Sequence, residues 1–244
     1  MKTVAERVKK LEALKESKPF ELRRDLDKAL KDKSPTVRGL AVEIIGERKI
    51  DEMLANVLLM LKDSDSEVRT LAVESIGKLA NANFPVDTLA NYLNDKSELV
   101  RVSVAEILGE IGNVSVLDDL KTALNDKSPL VRRYVAEAIG SIGQQKSAEI
   151  LQKYLSNEDD ESAKVGFYVG LYKLNKKDFL ENLINLLESE DYRLRCASAN
   201  SLSILNLSSS EISQVVSALN QALSKEKTVA ARSSIESTLT YLQS

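Results

Sequence analysis

The sequence predicts an all-α protein of stacked helical hairpins, an α-solenoid, and two observations lead to this prediction. A motif of the form Asp-x-Ser-x-x-Val-Arg, or a close variant, recurs four times, with its arginines at 38, 69, 101 and 132. Apolar residues, among them Leu40 and Leu71, follow each motif at helical spacing and are expected to face the core. A glycine stands eight residues beyond each arginine, where it is expected to let a neighbouring helix approach closely. A period of 31 or 32 residues indicates units that bury their apolar faces against their neighbours.

Each motif is expected to open the second helix of a hairpin. Ser34 and Ser128 each precede a proline, which places a capping hydroxyl before a residue whose φ suits the first helical turn. Asp65 and Ser97 are the expected caps in the other two copies. An amphipathic first helix precedes each second helix, and an additional helix is predicted at 3–17. The predicted first helices are 20–31, 51–62, 86–94, 115–125, 147–156, 178–188 and 211–223.

The repeat period continues after the motif itself decays. Lys164 and Arg195 stand where the next two arginines are expected. We therefore expect one solenoid over residues 1–244, made of about seven hairpins. Its predicted parts are an N-terminal cap helix (1–18), well-formed repeats (19–143), degenerate repeats (144–205) and a C-terminal capping repeat (206–244).

The Asp…Val-Arg turn and the Ala/Val-x-Glu-x-x-Gly run that follows it, as in residues 72–77, resemble the short HEAT repeats of many bacterial proteins. The match is strong over 30–143 and degenerate over 144–244. The resemblance implies a right-handed superhelix whose second helices line the concave side. It also implies hydrogen bonds between the Asp and Arg of adjacent repeats that fix their stacking. The alternative is that the repeated arginines form a row that binds a ligand. Bilin lyase subunits carry similar repeats, so a lyase- or isomerase-like catalytic or chaperone subunit is an alternative function.

The composition excludes several classes of function. The chain has no His, which removes His-based metal sites and catalytic triads, and it has no Gly-rich phosphate loop. We expect no catalytic residue, no cofactor and no metal, although a purely carboxylate mechanism stays open. A net charge of −3 with interspersed signs argues against nucleic acid. No apolar stretch is long enough to span a membrane, and a single Cys fits a reducing cytoplasm, the predicted location.

The expected function is a non-enzymatic scaffold or adaptor that binds a protein or peptide on the concave face. Counting the motif Val as position one, positions 3, 6 and 10 of each second helix are expected to line that face, and they are mostly small in the first four repeats. The fifth repeat carries two tyrosines there, and Tyr and Arg are enriched at binding hot spots. The alternative is that the tyrosines fill gaps in a degenerate repeat. The predicted partner-binding residues are Arg133, Glu137, Lys164, Tyr168 and Tyr172.

Two acidic features leave alternatives open. The run Glu158-Asp159-Asp160-Glu161 replaces the usual Asp-x-Ser turn and is interpreted as a solvated turn. Aligned glutamates recur at one position of the second helices, where they form either an acidic row for a basic partner or ordinary solvated surface. These are Glu43, Glu74, Glu106 and Glu137.

Overall fold

The computed structural model of the chain describes residues 3–14, 19–80, 84–144 and 146–243, and within these residues the regular structure is helical with no strand. Short 3₁₀ turns (Asp51–Met53, Asn91–Asn94, Val114–Val116 and Leu186–Glu188) adjoin four of the α-helices. The α-helices are α1 (Val4–Leu14), α2 (Pro19–Ala29), α3 (Pro35–Glu47), α4 (Leu54–Met60), α5 (Ser66–Leu79), α6 (Val86–Ala90), α7 (Glu98–Ile111), α8 (Leu117–Ala123), α9 (Pro129–Ile142), α10 (Ser147–Leu155), α11 (Glu161–Lys173), α12 (Phe179–Asn185), α13 (Tyr192–Ser203), α14 (Ser209–Lys225) and α15 (Val229–Leu242).

The helices follow the predicted order of an extra helix and seven hairpins. The helix α1 comes first, and α2 to α15 alternate as first and second helices of successive repeats. The predicted fold class, an all-α solenoid, is confirmed. The predicted N-terminal helix reached residue 17, but residues 15–17 lie outside the described residues.

The chain divides into two compact units, Met1–Ile111 and Gly112–Ser244. In the first unit α1 packs on α3, α3 on α5 and α5 on α7. In the second unit α9 packs on α11, α11 on α13 and α13 on α15. Second helices therefore stack on second helices within each unit. The division falls inside the stretch 19–143, and the predicted split into well-formed and degenerate repeats stays a prediction.

Arginine–carboxylate pairs join consecutive repeats. Arg38 donates from Nε and Nη2 to the two carboxylate oxygens of Asp63 in the next repeat, at 2.6 and 2.7 Å. Its Nη1 donates to the carbonyl of Asp32 in its own turn at 2.8 Å. Asp63 in turn accepts the backbone N–H of Asp65 at 2.9 Å, which closes the turn before α5. One carboxylate thus closes its own turn and binds the previous repeat, and we call each such pair a rung.

Further rungs repeat this geometry. Arg69 pairs with Asp95 at 2.8 Å, and Arg7 of α1 pairs with Asp32 at 2.8 Å, so α1 acts as the second helix of a preceding half-repeat. In the second unit the pairs are Arg132–Glu158 and Arg195–Glu226, each with a shortest distance of 2.6 Å. The Asp–Arg link that the HEAT resemblance implies is confirmed.

The acidic run before α11 has a structural explanation. Glu158 takes the place of the usual Asp in the rung with Arg132, and it accepts the N–H of Asp160 at 3.0 Å. Asp160 then caps α11 by accepting the N–H groups of Ser162 and Ala163 at 2.9 and 3.1 Å. Burial would raise the pKa of Glu158, but the hydrogen bonds from Arg132 and from the Asp160 amide outweigh it, so the pKa is lowered.

Glycines set the distance between stacked second helices, as the sequence analysis expected. A Cβ on Gly46 would lie 2.9 Å from the Cα of Ser75, and one on Gly140 would lie 2.3 Å from the Cα of Gly170. The approach of α9 and α11 is closest near Gly166, where a Cβ would lie 2.0 Å from the carbonyl oxygen of Arg133. Each of these positions accepts only glycine unless the backbones separate.

The same contacts correct the predicted binding surface. Positions 3, 6 and 10 were expected to be exposed, yet position 6 is fully buried in the first four repeats, at Val42, Val73, Ala105 and Ala136. A second helix of a solenoid contacts the preceding second helix on one side and the following one on the other. Besides the side that packs on its hairpin partner, it therefore buries two further faces, and the small residues lie between repeats instead of lining an open surface.

The last second helix has a polar face where other repeats stack. Positions 3, 6 and 10 of α15 are Ser233, Glu236 and Thr240, and all three are exposed. Glu236 lies 3.6 Å from Arg232, the residue that corresponds to the rung arginines. No helix among the described residues is both long and apolar enough to cross a membrane.

Candidate functional site

Each well-formed second helix leaves one narrow face exposed. On α3 this face carries Thr36, Leu40, Glu43 and Glu47, which are spaced three or four residues apart and are half-buried or exposed. This is the face left over after the helix has buried one side against its own hairpin partner and two sides against neighbouring repeats. Residues on this face reach the protein surface.

In the first unit the exposed faces of α3, α5 and α7 lie side by side and carry leucines among glutamates. Leu99 is 60% exposed, while Leu40 and Leu71 are half-buried. Six glutamates and a single lysine surround the three leucines. We call this surface the acidic face; it consists of Leu40, Glu43, Glu47, Glu67, Leu71, Glu74, Lys78, Leu99, Glu106 and Glu110.

The corresponding face is covered at α11 in the second unit. Gly166 and Val169 occupy positions that are half-buried or exposed on α3 and α5, yet both are buried. The close approach of α9 explains this, because Arg133 on α9 extends past α11 and donates to the hydroxyl of Ser201 on α13 at 3.4 Å. The helix α11 therefore offers little surface of its own to a partner.

Two of the predicted site residues form an ion pair. The Nε of Arg133 donates to Glu137 at 3.0 Å, and the two side chains are only 17% and 14% exposed. The guanidinium of Arg133 also lies 5.7 Å from the ring centroid of Tyr134. Arg133 is thus held by contacts within the second unit, and a partner would have to compete with them.

Lys164 and Tyr168 lie one helical turn apart on α11 and keep partial exposure. The ammonium of Lys164 pairs with Glu161 at 2.7 Å. The ring of Tyr168 stacks on Phe179 with centroids 5.9 Å apart, and burial raises the pKa of its hydroxyl. Partner binding by Arg133, Glu137, Lys164 and Tyr168 stays a prediction.

The structure corrects the predicted position of Tyr172. It is only 2% exposed and belongs to the apolar core of the second unit, so the prediction that it lies on an exposed binding surface is wrong. Its hydroxyl donates to the carbonyl of Asn206 at 3.2 Å, and the ammonium of Lys177 lies 3.6 Å from the ring centroid. Burial, together with the negative charge of the nearby Glu211, raises the pKa of the hydroxyl. Tyr172 fills space in the degenerate repeat, which was the alternative reading.

The leucines of the acidic face were missed in the sequence analysis. The helical pattern assigned Leu40 and Leu71 to the core, whereas the structure leaves both half-exposed. The sequence did contain an indication that they share a face with surface residues. Leu40 lies three residues before Glu43, and Leu71 lies three residues before Glu74. A residue on the border between buried and exposed positions cannot be assigned from a 100° periodicity alone.

A cavity of about 640 Å³ opens in the second unit beside the turns before α9 and α11. Lys127, Lys153, Tyr154 and Phe167 are among its lining residues. Its Arg132 and Glu158 are already joined in a rung. In the described part of the chain, no group of three or more His, Cys, Asp or Glu side chains is placed to hold a metal ion.

Antiparallel helix pairs, stacked by glycine contacts and joined by arginine–carboxylate rungs, define an α-helical repeat protein. A family model for HEAT repeats matches residues 23–84 and 86–166. The chain therefore belongs to the HEAT repeat family. Among curated proteins, none matches the chain in sequence.

Two solved structures illustrate the likeness in fold. One chain in the structure of the complex of CpcE and CpcF of phycocyanin lyase from Nostoc sp. PCC7120 is 18% identical, with 93% of this chain and 97% of that chain covered and a TM-score of 0.65. The Escherichia coli protein YIBA is 16% identical, with 98% of each chain covered and a TM-score of 0.55. At these identities the likeness shows the fold alone.

Proposed function

We propose that this protein is a non-enzymatic scaffold or adaptor that binds a protein or peptide through the exposed faces of its second helices. The acidic face is the observation that supports the proposal. Scattered exposed leucines need no explanation, but here three consecutive second helices each place one leucine on the same surface. Aligned charges around an apolar centre are the arrangement of a protein interface with a polar rim.

A cytoplasmic location and the lack of a catalytic role belong to the same proposal. An interaction surface of this kind acts by presenting side chains at fixed spacing, and rigid stacked helices hold that spacing. Within each unit the rungs contribute by joining neighbouring repeats, with two hydrogen bonds between Arg38 and Asp63 as an example.

Site-specific photo-crosslinking tests the proposal. A photoreactive phenylalanine analogue replaces Glu74 on the acidic face or, in a matched variant, Glu52, which is also exposed but lies on the first-helix side of the same unit. We expect a protein adduct from the native lysate with the Glu74 variant and none with the Glu52 variant. Adducts of equal yield at both positions, or none at Glu74, would contradict the proposal.

A second candidate function is a bilin lyase- or isomerase-like subunit, catalytic or chaperone. The supporting observation is that the likeness to the CpcE–CpcF complex extends over 93% of this chain. The test is to produce the protein together with a supply of bilin and record its visible spectrum after purification. An absorbance band that copurifies with the chain would favour this function, and a colourless protein would argue against it.

A further inference from the structure

We infer that the acidic face binds a basic amphipathic α-helix of a partner protein. The inference rests on the proposed function and names the class of partner that this surface fits. It is carried by the juxtaposition of a leucine row with an excess of carboxylates on three stacked helices of one compact unit.

The leucine row sets the spacing of the partner's apolar residues. Leu40 and Leu71 take the same position on α3 and α5, and Leu71 packs over Gly39 beside Leu40. Leu99 lies one helical turn earlier on the same face of α7, at the position of Thr36 and Glu67. Packed helices lie roughly 8–10 Å apart, and a helix rises about 1.5 Å per residue, so a helix crossing all three meets one leucine about every five to seven residues. An apolar residue at every seventh position stays on one face of a helix.

The charges around the row select a basic partner. Glu43, Glu74 and Glu106 recur at the same position of the three helices, and Lys78 is the only lysine on the face. Lys and Arg side chains on either side of a partner's apolar stripe would reach these carboxylates while their methylene stems cover the leucines. The acidic face repels phosphates, which makes nucleic acid and anionic lipid poor occupants.

A helix suits the surface better than an extended segment. The acidic face is built from helix sides, whose backbone groups are already hydrogen-bonded within each helix, and it offers no strand edge to pair with. A bound segment must therefore satisfy its own backbone, which an α-helix does. Helix-in-groove recognition reads anchors at spacings of three, four and seven residues.

The test uses a fluorescently labelled 18-residue peptide. It has leucine at every seventh position and at the positions three or four residues after each of these, and lysine or arginine at the other positions. Its anisotropy is titrated with the full chain and with E43Q/E74Q/E106Q, which removes charge while keeping shape. The matched control is E12Q/E52Q/E149Q, which removes three exposed glutamates outside the acidic face. Circular dichroism checks that each variant is folded.

We expect the peptide to bind the wild-type chain, the control to match it, and E43Q/E74Q/E106Q to bind about tenfold or more weakly, with the difference shrinking as salt is added. Leu99→Ser should weaken binding severalfold at every salt concentration. A peptide of the same pattern with glutamate in place of the basic residues should not bind.

Equal affinity for both triple variants, or no binding of the basic peptide to the wild-type chain, would overturn the inference. Neither result would remove the scaffold proposal if photo-crosslinking at Glu74 still captures a partner, because that partner would then be of another chemistry. Loss of crosslinking together with loss of peptide binding would remove both.

Discussion

At the scale of single residues, glycine decides how closely the second helices approach. The α9–α11 contact depends on Gly140, Gly166 and Gly170, where an added Cβ would meet backbone atoms of the facing helix. Backbone cannot move away as a flexible side chain can, so the cost of a methyl group depends on which atom it meets. At Gly39 an added Cβ would meet the end of the flexible Leu71 side chain, which can move away.

Replacing Gly166 by alanine should therefore lower stability much more than replacing Gly39. The Cβ at 166 would lie 2.0 Å from the carbonyl oxygen of Arg133, and overpacking of this kind costs about 1–3 kcal/mol or more. At Gly39 the methyl group meets Leu71 Cδ1 at 2.9 Å, and the gain in helix propensity of up to about 1 kcal/mol offsets the adjustment. Urea unfolding of the two variants measures the difference. Similar losses would contradict this account of the α9–α11 contact.

At the scale of the element, the junction between α11 and α13 departs from the rung pattern at both positions. Lys164 stands where other repeats have the rung arginine, and Ser189 stands where they have the carboxylate. Lys164 pairs with Glu161 on its own helix, and the hydroxyl of Ser189 accepts the N–H of Asp191. Both members of the rung are therefore missing at this junction, and neither Lys164 nor Ser189 is left facing the partner of an incomplete rung.

Restoring both residues should stabilise the second unit in a coupled way. Ser189→Asp alone adds a carboxylate beside Glu188, Glu190 and Asp191, so it should lower stability, and Lys164→Arg alone should have little effect. The double variant can form the bidentate pair, and we expect a coupling free energy of about 1 kcal/mol or more from a double-mutant cycle. Additive effects of the two changes would show that the junction cannot form a rung.

The elements show what the sequence could and could not predict. The helices, the seven hairpins and the rungs follow from local signals such as the Asp-x-Ser turn and the spacing of arginines. The exposed face does not follow from local signals. The sequence of one helix shows that a residue is apolar or small, but it does not show which neighbouring helix covers that residue. Tyr172 and Val42 were assigned to an exposed surface for this reason, and Leu40 to the core. The glycines at the stacking positions were the one clue to the buried second face.

At the scale of the molecule, the rungs make stability depend on ionised carboxylates. The hydrogen bond from Arg195 lowers the pKa of Glu226 from an ordinary 4.5 to about 2. For Asp63 and Asp95, burial acts to raise the pKa, but the arginine and amide hydrogen bonds outweigh it and the pKa is lowered. In the unfolded chain these groups return to their ordinary values, so folding favours their charged forms.

Stability should therefore fall in acid. A carboxylate whose folded pKa is lowered contributes its full stabilisation above its ordinary pKa of about 4, and the contribution is lost as the pH falls through the folded pKa. We expect the free energy of unfolding to decrease steadily from pH 5 to pH 2. Urea unfolding at each pH measures this, with Glu226→Gln as the control that should flatten the lower part of the curve. A constant unfolding free energy between pH 5 and pH 2 would refute the role of the rungs.

The rungs also determine how the chain tolerates being cut into fragments. Each carboxylate belongs to one repeat and its arginine to the repeat before it, as Asp95 and Arg69 do. A cut between two such repeats leaves an arginine at one new end and a carboxylate at the other, each without its counter-ion. Deleting α1 would likewise separate Asp32 from Arg7. Excised pieces should be less stable than their number of repeats suggests, and a minimal fragment will need a neutral residue wherever a rung has been severed.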